Sequence, residues 1–234
     1  DAFAVEVHER LLAGIGTRWD EALGLSADWK KSEAGLQARR DITDYVQGDR
    51  ARHALWAVKD PRLSLFADIW IDAARDAGQP VGAVLMLRHP LEVAKSLAVR
   101  DGIAPARGLL LWLDYTLAAA AAMERVPNTL IAYDKLLADW RACVARIRTL
   151  PGGASLKTDA SRAKAVDAFL DARLRHHAEH DGSLLPQVIR DVWEEFSGYA
   201  ETGVLPAGAV KRLLRRIAPV RQLIHPLLGE MRVT

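Results

Sequence analysis

Residues 81–100, VGAVLMLRHPLEVAKSLAVR, constrain this chain more than any other stretch. Val81 and the run from Ala83 to Leu87 form a short apolar segment preceded by Gln79 and Pro80, the pattern of a strand buried on both faces. Pro90 is tolerated in the first turn of a helix, where its missing N–H costs nothing, and Leu91, Ala94, Leu97 and Ala98 recur behind it at helical spacing. The stretch therefore predicts a strand that turns directly into a helix, with Arg88 at the strand's carboxyl end. Ser96 lies eight residues after Arg88 and Arg100 four further on, so Ser96 and Arg100 share a helix face and the three together can close on an anion. A surface arginine, a helical serine and a solvated arginine account for the same spacing.

A chain of 234 residues can bury a substantial core in one domain, with room for a helical appendage. Its 32 basic and 30 acidic residues leave a net charge of +2, so no global field argues for nucleic acid or a membrane surface, and any anion site must be local. The one cysteine, Cys143, excludes an internal disulfide framework, fits a reducing, cytoplasmic setting and reads as core filler. The longest apolar run, residues 108–123, is interrupted by Asp114 and rich in alanine, which reads as a buried helix rather than a membrane span. Phe3, Val7, Leu11 and Leu12 are already at helical spacing at the start of the sequence, and the reading expects further chain upstream of Asp1.

In chain order, residues 1–13 predict a helix stopped at Gly14 and Gly16, and a loop with Trp19, the capping candidate Ser26 and Trp29 follows. Ser32 opens an amphipathic helix that puts Leu36, Ile42 and Val46 inward and ends near Gly48. Residues 54–58 read as a first strand, 63–77 as a helix closed by Gly78, and residues from Pro105 to about Arg125 as a long helix. Residues 129–132 read as a third strand and 135–150 as one helix. Short apolar runs alternating with helices are the pattern of a parallel sheet covered by helices, an α/β domain over residues 1–150. Residues 151–234 carry helical patterns at 160–174, 185–199 and 206–217, the last with a basic Lys211, Arg212, Arg215, Arg216 face, and read as a helical extension packed on that domain.

Ligands of such sheets gather at the carboxyl ends of the strands. The three expected strands end at Lys59, Arg88 and Tyr133, which converges on a phosphate site. Lys59 can stabilise negative charge on a transferred group or on the oxygen that leaves with it. Asp60 either orients Lys59 or pairs with Arg62. Arg88 can grip phosphate through two parallel hydrogen bonds, with Ser96 adding a hydroxyl, each charge-assisted bond contributing roughly 1.5 to 3 kcal/mol. Tyr133 offers a hydroxyl or a ring, and helix amides after Pro90 add donors. His176, His177 and His180, with Glu179 or Asp181 nearby, have partial metal-ligand spacing, but a solvated helix end explains them better. The sequence contains no Walker A loop, no GxGxxG and no nucleophile elbow.

Arg88 with Ser96 eight residues on resembles the 3′-phosphate motif of the sulfotransferase superfamily, whose members move a sulfuryl group from 3′-phosphoadenosine 5′-phosphosulfate (PAPS) to a hydroxyl or amine. Arg100 sits where tyrosylprotein-type members carry another phosphate-contacting arginine. Residues 58–62, VKDPR, resemble the Lys-Asp-Pro segment of bacterial and tyrosylprotein-type members, and residues 132–137, AYDKLL, are similar to a Tyr-Glu-Asp-Leu segment whose tyrosine helps hold the nucleotide. The resemblance covers about residues 1–150 and implies a P-loop-like core, Lys59 as the catalytic lysine, and Arg88, Ser96, Arg100 and Tyr133 as nucleotide-binding residues. It implies PAPS as co-substrate, a small-molecule or glycan acceptor, and no metal in the scheme. The family's 5′-phosphosulfate loop is not in these residues and is expected upstream of Asp1. Glu6, His8 and Glu9 are available as general base, and no motif selects one. Two rival readings are a fragment of a P-loop-like nucleotide kinase and a non-catalytic helical scaffold with a degenerate nucleotide site.

Overall fold

The computed structural model describes residues 1–21, 25, 27–48, 52–170 and 184–230, with Ala27 and residues 220–230 by backbone alone. Ser26 and the group His176, His177, Glu179, His180 and Asp181 lie outside the described residues.

Helix α1 (Ala2–Gly14) begins at Asp1, whose carboxylate accepts the Phe3 N–H at 3.1 Å. A 3₁₀ turn (Ala27–Lys31) leads to α2 (Glu33–Gln47), capped by Ser32, whose Oγ accepts the Gly35 N–H at 3.0 Å. Helix α3 (Leu63–Asp76) follows, then strand β1 (Ala83–Leu87), α4 (Pro90–Asp101) and α5 (Pro105–Met123). Strand β2 (Asn128–Ala132) runs into α6 (Tyr133–Ala138) and α7 (Trp140–Arg148), and α8 (Ala160–Phe169), α9 (Gln187–Thr202) and α10 (Ala209–Glu230) complete the chain. Pro90 does open α4, and Gly102 ends it in the left-handed conformation, at φ 70°.

The sheet is parallel, in register from Ala83 opposite Asn128 to Leu87 opposite Ala132. The protein is thus a mostly helical α/β chain, and among the described residues its sheet has two strands. The expected strand at 54–58 does not form. Its side chains are engaged without a backbone ladder: Trp56 Nε1–H donates to Gln79 Oε1 at 2.8 Å, Trp56 and Val58 pack against the α1–α3 core, and Leu55 is exposed. The chain bends at Ala54 and Leu55, and no described strand pairs with residues 56–58, so the ladder of main-chain bonds that defines a sheet strand is absent there.

Strand β1 is also not buried on both faces. Ala83, Leu85 and Leu87 face α5 and α9, whereas Val84 and Met86 are 44% and 41% exposed on the other side. Residues 135–150 form two helices instead of one, because Asp139 leaves the helical conformation and its carboxylate accepts the Ala142 N–H at 3.0 Å, capping α7. Leu36 of α2 faces solvent, since the buried stripe of that helix runs through Ala38, Ile42 and Val46.

Two apolar clusters organise the interior. One joins α1, α2 and α3 through Val7, Leu11, Ile42, Val46, Phe66 and Trp70. The other joins the sheet to α4, α5, α9 and α10 through Leu87, Trp112, Leu130, Phe196, Leu213 and Ile217. Residues of the C-terminal third therefore cover the sheet itself. The Leu130 N–H donates to the Gly203 carbonyl at 3.1 Å and Asn128 Oδ1 accepts the Leu205 N–H at 3.1 Å, so the outer edge of β2 is satisfied by the turn after α9. Helix α5 is buried along most of its length, and no helix among the described residues is long and apolar enough to cross a membrane.

Candidate functional site

The register brings Leu87 and Ala132 level, so the next residue of each strand, Arg88 and Tyr133, leaves the sheet at the same end. The Arg88 guanidinium carbon stands 5.0 Å from the Tyr133 ring centroid, a cation–π contact that holds the guanidinium plane. Glu92 Oε2 accepts the Arg88 Nε–H at 2.7 Å from the first turn of α4. The Arg88 carbonyl accepts the indole N–H of buried Trp112 at 2.9 Å, which pins the backbone between strand and helix. His89 Nδ1 accepts the Leu91 N–H at 3.3 Å, and its ring meets Trp193 edge-on at 4.8 Å between centroids. The arginine side chain keeps 30% of its surface exposed.

Ser96 and Arg100 lie further along α4 at four-residue steps from Glu92, on one helix face. Both are exposed, and Arg100 pairs with its neighbour Asp101 at 2.8 Å. The structure thus brings Arg88 and Tyr133 into contact and sets Ser96 and Arg100 on the stripe that Glu92 begins.

Lys59, expected at the end of a third strand, has no strand behind it. It is exposed, at the end of the segment that fails to form a strand, and makes no hydrogen bond or ion pair with any described residue. Asp60 turns inward instead of toward Lys59. Its carboxylate accepts the Arg62 backbone N–H at 2.7 Å, pairs with the Arg62 guanidinium at 3.4 Å and faces His8 Nδ1 at 3.9 Å. Asp60 pairs with Arg62, as one of the two sequence readings had it. Arg62 also pairs with Glu9 of α1.

His8 is fully buried, and its Nε2 accepts the Trp70 indole N–H at 2.9 Å. An accepting Nε2 places the proton of the neutral ring on Nδ1, directed toward Asp60. Burial pushes the His8 pKa down to about 4, against the pull of Asp60. Of the three groups available as a general base, His8 is therefore sealed in the core, Glu6 pairs with Arg10 on an exposed face, and Glu9 is half-exposed beside Arg62. Cys143 is buried, and burial raises its thiol pKa, consistent with core packing.

Sequence reasoning missed Glu92, Trp112 and the His8–Asp60–Trp70 network. Glu92 had a signal, a carboxylate four residues after the strand-end arginine. The pairs Trp112 with Arg88 and His8 with Asp60 are separated by 24 and 52 positions and carry no local pattern. No protein-family model matches the chain, and neither does any curated protein or solved structure.

Proposed function

We propose that the protein takes part in sulfuryl transfer from PAPS to a hydroxyl or amine, with the turn from β1 to α4 holding the nucleotide's 3′-phosphate in a P-loop-like core. The observation that carries this reading is the contact between Arg88 and Tyr133 at the carboxyl ends of two adjacent parallel strands. Both residues came from motifs that resemble the sulfotransferase superfamily, and they meet through strand register alone.

In the proposed reaction a base takes the proton of the acceptor hydroxyl or amine as its oxygen or nitrogen attacks sulfur in line. The bond from sulfur to the bridging oxygen breaks, and 3′-phosphoadenosine 5′-phosphate leaves with that electron pair. Arg88 holds the 3′-phosphate, Ser96 and Arg100 extend the donor set along α4, and Lys59 steadies charge on the leaving oxygen. Calorimetry with 3′-phosphoadenosine 5′-phosphate against 5′-AMP tests the nucleotide half of the proposal. A preference of tenfold or more for the 3′-phosphorylated nucleotide is expected, and equal affinities contradict it. The Lys59→Ala variant separates the two halves, since it is expected to lower turnover while leaving nucleotide affinity within about twofold.

A further inference from the structure

An arginine on a turn has four rotatable side-chain bonds, and each must be ordered before two parallel hydrogen bonds can form with a phosphate. Arg88 is held by three contacts from the protein itself. Its backbone is fixed by the Trp112 indole, its plane by the Tyr133 ring, and its Nε–H by Glu92 Oε2 at 2.7 Å. Neither terminal nitrogen makes a hydrogen bond with any described residue, and the side chain keeps 30% of its surface exposed, so no described residue occupies the end of the fork that can match a phosphate.

The Glu92 side chain is 15% exposed and sits one turn before Ser96 on the same face of α4. A carboxylate beside an anion site has two opposite consequences. As a competitor it would occupy the arginine and repel phosphate. As a support it would hold the arginine through Nε, at some cost in repulsion, and aim the remaining nitrogens. The contact at Nε closes the side-on fork of Nε and one terminal nitrogen but leaves the end-on fork of the two terminal nitrogens, which favours the second role.

We infer that Glu92 is a positioning residue, which presets the Arg88 guanidinium for two-pronged capture of the nucleotide's 3′-phosphate. This rests on the nucleotide reading above and deepens it.

The test uses the whole chain and its Glu92→Ala and Glu92→Gln variants, titrated calorimetrically with 3′-phosphoadenosine 5′-phosphate and with 5′-AMP. Glutamine keeps an oxygen acceptor for the Nε–H and removes the charge. The expected result is that Glu92→Ala binds the 3′-phosphorylated nucleotide about tenfold more weakly with 5′-AMP unchanged, while Glu92→Gln stays within about threefold of the parent. Tighter binding by Glu92→Ala would show a competitor and overturn the inference. An equal loss for both nucleotides, or no loss, also overturns it.

A second measurement needs no nucleotide. The Arg88 Nε–H resonance, identified by its absence in Arg88→Ala, should be protected from solvent exchange in the parent and Glu92→Gln and unprotected in Glu92→Ala. Should the parent fail to prefer the 3′-phosphorylated nucleotide, the sulfotransferase reading fails by that titration. Unprotected Nε–H in the parent removes the positioning role independently.

Discussion

His8 links the charge state of one ring to folding. The folded ring stays neutral down to about pH 4, whereas in the unfolded chain it has an ordinary value near 6.5. Between those values the unfolded state binds more protons, so unfolding free energy rises with pH in that window. Stability should be greatest above about pH 6.5 and fall by on the order of 3 kcal/mol as the pH drops toward 4. Urea denaturation at pH 7 and pH 5 checks this, and the His8→Gln variant should lose most of the difference. A parent whose midpoint does not move over that interval contradicts the assignment. The same residue marks where sequence reading stops. The places of Arg88 and Tyr133 at strand ends, and of Ser96 and Arg100 on one face of α4, were legible because strand ends and four-residue steps are local patterns. The meeting of Arg88 with Tyr133 followed from expecting parallel strands. His8 was only one of three groups near a helix start, because its partners Trp70 and Asp60 are brought to it by packing.

Among the elements, the β1–α4–α5 unit depends on close approach. A Cβ on Gly108 of α5 would lie 2.9 Å from Ala94 Cα on α4, a contact with backbone that a rotamer change cannot relieve. Gly108→Ala gains about 1 kcal/mol of helix propensity, but overpacking of this kind costs about 1–3 kcal/mol. A net loss is expected, read as a thermal midpoint lowered by a few degrees; an unchanged or raised midpoint would show that α4 and α5 can separate freely. Strand β1 supplies a contrast between its two faces. Met86→Lys on the exposed face should change stability by less than about 0.5 kcal/mol, and Leu87→Ala on the buried face should cost about 2–5 kcal/mol. Chemical denaturation of the pair measures both, and equal costs would place Met86 in the core. Helix positions were legible from apolar spacing, Pro90 and Gly102. The missing strand at 54–58 was not, because a run of apolar residues reports burial and extension but not whether a second strand lies alongside. The break at Asp139 was readable in principle, since an aspartate three residues before Ala142 is a capping position.

At the level of the whole molecule, the C-terminal helices complete the sheet's own core. Phe196 of α9 and Leu213 and Ile217 of α10 are almost wholly buried in the cluster that holds Leu87 and Leu130. Phe196→Ala should therefore cost about 3–5 kcal/mol, a large part of a typical domain's stability. Near-ultraviolet circular dichroism through a thermal scan checks this; a variant as stable as the parent would show that α9 is an appendage to the sheet. The proposed 3′-phosphate site, where β1, β2 and α4 converge on Arg88, has one decisive test. It is calorimetric titration of the parent chain and Arg88→Ala with 3′-phosphoadenosine 5′-phosphate and with 5′-AMP. The account predicts that the parent prefers the 3′-phosphorylated nucleotide at least tenfold and that Arg88→Ala abolishes the preference. Equal binding of the two nucleotides by the parent, or a preference that survives loss of Arg88, would contradict it.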